Sequence, residues 1–293
     1  MQWLKLKDIT GSILVSDKYL IGIGCSFTQG QGGVTEYIYQ KYGKDVFNGT
    51  HRLPIDAEER QCSWVGQICE KHLRSHTPIN LGQRGRGNRS AAKELYLNKL
   101  DSDSEKIVVY ALSGMERFDF AKKDASFSWQ RFYAMFPTPD NKEQPLWSIY
   151  ADHVWSEQFV VIETILNILE VQNWCKLNNA KLLLTSAFDT AINPENFRQQ
   201  LNHMPSEVYL ADLVDWDLFW RPDGYDTFLH MLIDLQENGS DEVKDLKHGA
   251  YWSKYGGIFP PKEYITPCCH PTYKSHGIIA HKMFQELKRR NYV

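Results

Sequence analysis

The chain has 293 residues, 42% of them hydrophobic and 24% charged, with 33 lysines and arginines against 36 aspartates and glutamates, for a formal net charge of −3. That composition supports a sizeable core and excludes wholesale disorder. The near balance of charge excludes the global basic field that draws proteins onto nucleic acid or anionic membranes.

In chain order, the first fifteen residues, MQWLKLKDITGSILV, lack the basic start, sustained apolar run and small-residue cleavage site of a secretory signal. A cytoplasmic or virion-associated protein is expected, and its six cysteines then read as reduced thiols rather than a disulfide framework. The apolar run at 19–23 predicts a strand that delivers the chain into GCSFTQGQGG, residues 24–33. Residues 34–60, rich in aromatics, Gly, Pro and Asp, break the pattern and are expected to be an insertion. A helix follows from Ser63 (SWVGQICEKHL), with Cys62 and Cys69 as core residues, and then a strand at 78–82 (PINLG). Next come a helix from Ser90 (SAAKELYLNKL), a strand at 106–114 (KIVVYALSG), and a further insertion at about 122–150.

A long helix is predicted over about 152–178. Its most apolar stretch, FVVIETILNILEV, is interrupted by Glu163 and Glu170 and falls short of the roughly 20 apolar residues that span a bilayer. A strand at 180–188 (AKLLLTSAF) leads into a third insertion at about 189–260. The last helix is expected to open at Pro271 and to carry Ile279, Met283, Phe284 and Leu287 on one face. Short continuous apolar runs alternating with helices predict strands buried on both faces. The expectation is a three-layer α/β/α sandwich with a mostly parallel, flavodoxin-like sheet, forming one domain over 1–293.

Glycines around a hydroxyl after a buried strand suggest a phosphate loop, but Gln31, Gly32 and Gly33 follow Gly30 with no lysine. The dinucleotide fingerprint fails because Phe27 stands where its third glycine belongs, and the Gly-x-Ser-x-Gly elbow fails at Thr28. No cofactor is expected. What stands is Gly-x-Ser-Phe-Thr-x-Gly, with Ser26 leaving the carboxyl end of the first strand, where open α/β sheets place ligands. Three further blocks follow in order: NLGQRGRGN from Asn80, SGMERFDF from Ser113, and CCHPTYKSHGIIAHKMF from Cys268.

In these blocks the chain resembles the SGNH, or GDSL, hydrolases, and SGMERFDF is similar to their phage-type members. Gly24, Ser26, Phe27, Thr28 and Gly30 match the nucleophile block, with Cys25 in place of the usual aspartate. Asn80, Gly82 and Gly85 match the second block, and His270-Pro271 the last. The resemblance implies a serine esterase that cleaves an ester, an O-acyl group on a carbohydrate being the preferred substrate. Ser26 is the implied nucleophile and His270 the general base. The oxyanion is held by the N–H groups of Ser26 and Gly85, with Asn88 as a side-chain donor. Where the family carries an acid three residues before the histidine, this chain has Pro267. A dyad oriented by a backbone carbonyl, an acid from elsewhere such as Asp189 or Glu263, and a degenerate site that binds a glycan or protein partner all stay open.

Other patterns carry weaker alternatives. Cys25, Cys268, Cys269 and His270 suggest a thiolate-imidazole site, but adjacent cysteines chelate one ion poorly and no metal is expected. Strand alternation points the Cys25 thiol away from the Ser26 hydroxyl. RGRGNR from Arg84 offers a grip on phosphate or single-stranded nucleic acid, yet in a net acidic chain it reads as a solvated loop or a contact for an anionic substrate group, so no nucleic-acid partner is expected. Trp216, Phe219, Trp220 and Tyr225 either stack on a sugar or form a small core. His276 is expected to be solvated. The oligomeric state is not legible.

Overall fold

The computed structural model describes residues 17–34, 56–98, 103–121, 129–133, 153–238, 262–267 and 269–293. Cys268, most of the expected insertions at 34–60 and 122–150, and the part of the third from 239 onward lie outside the described residues.

The elements in chain order are β1 (Lys18–Gly24), α1 (Ser26–Gln29), α2 (Asp56–Cys62), α3 (Trp64–Lys71), β2 (Thr77–Asn80), α4 (Asn88–Leu97) and β3 (Glu105–Leu112). They continue with β4 (Arg117–Ala121), β5 (Trp129–Tyr133), α5 (Glu157–Leu177), β6 (Ala180–Ser186), α6 (Pro194–Leu201), α7 (Pro205–Leu213), α8 (Phe228–Gln236) and α9 (Tyr273–Arg289). Four strands form a parallel sheet in the order β2-β1-β3-β6, and β4 and β5 make a separate antiparallel pair.

Successive side chains of a strand face opposite sides of its sheet, and the apolar residues divide accordingly. Ile21, Ile23, Val108, Tyr110, Leu112, Leu182 and Leu184 pack against α4, α5, α6 and α7 through Ala92, Leu95, Val161, Ile165, Phe197 and Ala211. Leu20, Ile107, Val109, Ala111 and Leu183 pack on the other side against α3, α8 and α9 through Trp64, Ile68, Phe228, Met231, Ile279 and Met283. Two cores separated by one sheet give the three-layer α/β/α sandwich. They also explain why the strands read as unbroken apolar runs.

Side-chain caps start α3 where the sequence predicts it and α5 at Glu157 rather than at about 152. Ser63 accepts the Gly66 N–H at 3.2 Å ahead of α3, and Ser156 accepts the Phe159 N–H at 3.0 Å ahead of α5.

Two features differ from expectation. Pro271 does not open the last helix: it pairs with Ile265 in an antiparallel bridge, and Thr272 caps α9 by accepting the Ser275 N–H. A proline's fixed φ suits an extended position as well as a first helical turn. In addition, the described part of the stretch from 189 is built into the body of the molecule rather than sitting at the loop side of the sheet. Phe219 and Thr227 bridge β6 in parallel, so an irregular segment covers that strand's free edge, and Phe228 is wholly buried.

Candidate active site

From β1 the chain runs to β2 on one side and crosses back to β3 on the other, so the loops leaving β1 and β3 part at the carboxyl edge of the sheet. Such a switch point is where open α/β sheets bind ligands. The short α1 begins here, and it places Ser26, 3% exposed, at its first position.

The structure brings Ser26 and His270 together, with Nε2 of the imidazole 2.7 Å from Oγ of the serine. His270 lies in the turn ahead of α9. Thr266 holds it there: Oγ1 accepts the His270 N–H at 3.1 Å and donates to the His270 carbonyl at 3.0 Å, and the Thr266 N–H donates to the same carbonyl at 2.9 Å. Cys269, just before it, has a φ of 56°, a left-handed conformation that non-glycine residues adopt only where their surroundings impose it. The Phe27 ring packs 5.2 Å from the imidazole and 5.5 Å from Phe188, over which the Arg117 guanidinium sits at 4.7 Å.

Gly32 supports the same turn. Its φ is 94°, and a Cβ there would come within 2.6 Å of the Pro271 carbonyl oxygen and 3.1 Å of the His270 Cβ. The loop therefore lies directly on the histidine's backbone, at a distance only glycine permits.

The second loop is fastened to α1 by Asn80, whose Nδ2 donates to the Thr28 carbonyl at 2.7 Å and whose Oδ1 accepts the Gly82 N–H at 3.0 Å. Gly85 follows with a φ of 64°. Among the described residues, neither its N–H nor that of Ser26 is donated to any other group.

Two expectations, those for Asn88 and His276, are corrected. Asn88 does not hold its amide free for a substrate: Oδ1 accepts the Ser113 N–H at 2.8 Å and Nδ2 donates to the Ser113 carbonyl at 3.1 Å, so it ties α4 to the loop after β3. Both acids have partners of their own. Asp189 accepts the N–H groups of Met115 at 2.9 Å and Ala191 at 3.0 Å, while the exposed Glu263 pairs with Lys274. Of the two readings of the aromatic cluster, Trp216 and Trp220 follow the small core. Trp216 packs edge-on against Phe197 at 5.6 Å and donates to the Ala211 carbonyl, and Trp220 packs against Phe228 at 5.9 Å. His276 is fully buried, and burial pushes its pKa down from the ordinary 6.5 to about 4.

The RGRGNR arginines serve the protein's own acids: Arg84 pairs with Glu59 at 2.7 Å, Arg86 with Glu94 at 2.8 Å, and Arg89 with Glu163 at 4.0 Å. Cys25 and Cys269 lie buried in an apolar cluster with Phe27 and Phe188. Sequence reasoning missed Thr266 and Phe188, which lie outside the four motif blocks, and gave Phe27 no contact with the histidine ring.

No family model matches this chain, and no curated protein matches it. Among solved structures it is similar to the crystal structure of an acetyl xylan esterase, AlAXEase, with a TM-score of 0.40 and 16% identity over 92% of this chain and 99% of that one. A likeness that distant transfers neither fold nor activity. Among the described residues, no helix is long and apolar enough to cross a membrane.

Proposed function

We propose that this protein is a serine ester hydrolase of the SGNH kind. The observation that carries the proposal is the 2.7 Å approach of His270 Nε2 to Ser26 Oγ at the switch point of the sheet. A base within hydrogen-bond reach of a hydroxyl is the geometry that nucleophilic activation requires.

With the imidazole proton on Nδ1, Ser26 Oγ–H donates to Nε2. As Oγ attacks the ester carbonyl, that proton passes to His270 and the carbonyl oxygen becomes an oxyanion. The unspent N–H groups of Ser26 and Gly85 are the donors proposed to receive it, each worth about 10²- to 10³-fold in kcat. The imidazolium then protonates the departing alkoxide, leaving an acyl-Ser26. A water deprotonated by His270 releases the acid and restores the serine. The hydrogen bonds from Thr266 hold the imidazole's backbone in register, and Phe27 packs against its ring.

For the substrate we propose a short O-acyl ester on a carbohydrate. Its support is the polar character of the stretches after β2 and β3, where Gln83 is exposed and Glu116 and Arg117 are half-buried. The rival is a degenerate site that binds a glycan or protein partner, favoured by the engagement of Asp189 and Glu263 with other groups.

One experiment separates the two. Wild type and Ser26→Ala are compared for p-nitrophenyl acetate turnover, for acetate release from acetylated sugars, and for labelling by a fluorophosphonate. Turnover and labelling of wild type, both abolished by Ser26→Ala, are expected. A wild type that neither turns over nor labels rejects the enzyme.

A further inference from the structure

The second loop meets α1 through a buried polar triangle that the hydrolytic steps above leave unused. Gln29, 2% exposed at the end of α1, accepts the Arg84 N–H at Oε1 at 2.7 Å, and its Nε2 donates to Glu59 Oε2 at 3.1 Å. Arg84 Nη2 closes on that same oxygen at 2.7 Å, with the Glu59 side chain only 2% exposed.

Removing a carboxylate from water costs roughly what pairing returns, and apolar packing of similar volume often holds a fold as well. A buried triangle drawn from α1, α2 and the loop after β2 is therefore explained better by the geometry it imposes than by stability. What it holds is the N–H of the Gln83–Arg84 peptide, one peptide unit before the Gly85 N–H. The loop lies so close that a Cβ on Gly82 would fall 2.7 Å from the Thr28 carbonyl carbon. The next N–H after the one Gln29 holds is that of Gly85, which is donated to nothing among the described residues.

We propose that Gln29, locked by the Glu59–Arg84 pair, is a positioning residue that sets the Gly85 N–H for the oxyanion formed at Ser26. This rests on the hydrolytic reading above. Catalytic groups shifted by about 1 Å lose up to about 10²-fold in rate, so a loop free to drift shows itself in kcat.

The test uses the full chain, with p-nitrophenyl acetate as substrate and active sites counted by fluorophosphonate titration. Gln29→Ala is expected to lower kcat per titrated site about 10- to 100-fold with KM within about twofold. The double swap Gln29→Glu/Glu59→Gln restores an acceptor for the Arg84 N–H and a donor–acceptor pair beside it. It is expected to recover kcat to within about fivefold, a rescue that loss of folding would not give. Gln29→Met, which keeps the volume, carries the same comparison if the alanine variant does not fold.

The role is overturned if kcat per site stays within about twofold of wild type, or if the loss lies wholly in the number of titratable sites. Active wild type with an unaffected Gln29→Ala rejects the positioning role alone. Inactive, unlabelled wild type rejects the hydrolase and this role with it.

Discussion

Thr266 holds the His270 main chain from both sides through one hydroxyl, so its removal tests placement of the base without touching the ring. Thr266→Val keeps the shape and loses both hydrogen bonds. Steady-state kinetics should show kcat down about tenfold with KM little changed, and denaturation should show a loss of about 1 kcal/mol. His276 yields a pH prediction. Neither ring nitrogen has a well-formed hydrogen bond, although the Gln31 backbone lies beside the ring and opposes the shift slightly. Its folded pKa of about 4 lies below the ordinary 6.5, so the unfolded chain binds the proton more readily. Its contribution is intact above pH 6.5 and is lost as pH falls toward 4, about 2 kcal/mol of it between pH 7 and pH 5. Urea unfolding at those two pH values should show a smaller pH-dependent loss for His276→Leu than for wild type. The burial was legible. Residue 276 precedes Ile279, Met283 and Leu287 at helical spacing and so shares their inward face.

At the level of elements, the loop between α1 and the histidine turn works as a spacer whose thickness is set by Gly32. Gly32→Ala forces a side chain at a φ of 94° and against the Pro271 carbonyl. Thermal unfolding should show a loss of about 1–3 kcal/mol, with ester turnover falling further than stability because His270 is displaced. The strands were readable in the sequence because both faces of the sheet are covered, so residues 19–23 of β1, 107–112 of β3 and 182–184 of β6 form runs without a charged residue. The start of α9 was misplaced by two residues because Pro271 fits a bridge and a helix alike, although Thr272 followed by Ser275 carries a capping pattern. Asn88 was legible as a buried amide near the site. That it holds the Ser113 main chain depends on how α4 meets β3, which no local pattern encodes.

For the molecule as a whole, the covered edge of β6 brings Trp220, Thr227, Phe228 and Leu229 of the stretch after β6 into the core. Phe228, with no exposed surface, packs against both Trp64 and Trp220. Phe228→Ala should cost about 3–5 kcal/mol in chemical denaturation, as expected of a core aromatic and unlike a residue of a surface excursion. Aromatic and proline-rich composition made that stretch look peripheral, because its irregular backbone lacks the periodicity that marks a strand. The order of the four motif blocks, by contrast, fixed which strand ends would meet. The paired alcohol and imidazole stand 244 positions apart. On the hydrolytic reading, a refolding chain has no working centre until α9 has docked on the sheet, a closure whose entropy cost exceeds that of any local contact. After dilution from denaturant, helical dichroism should recover first, and colour from a chromogenic ester should trail it.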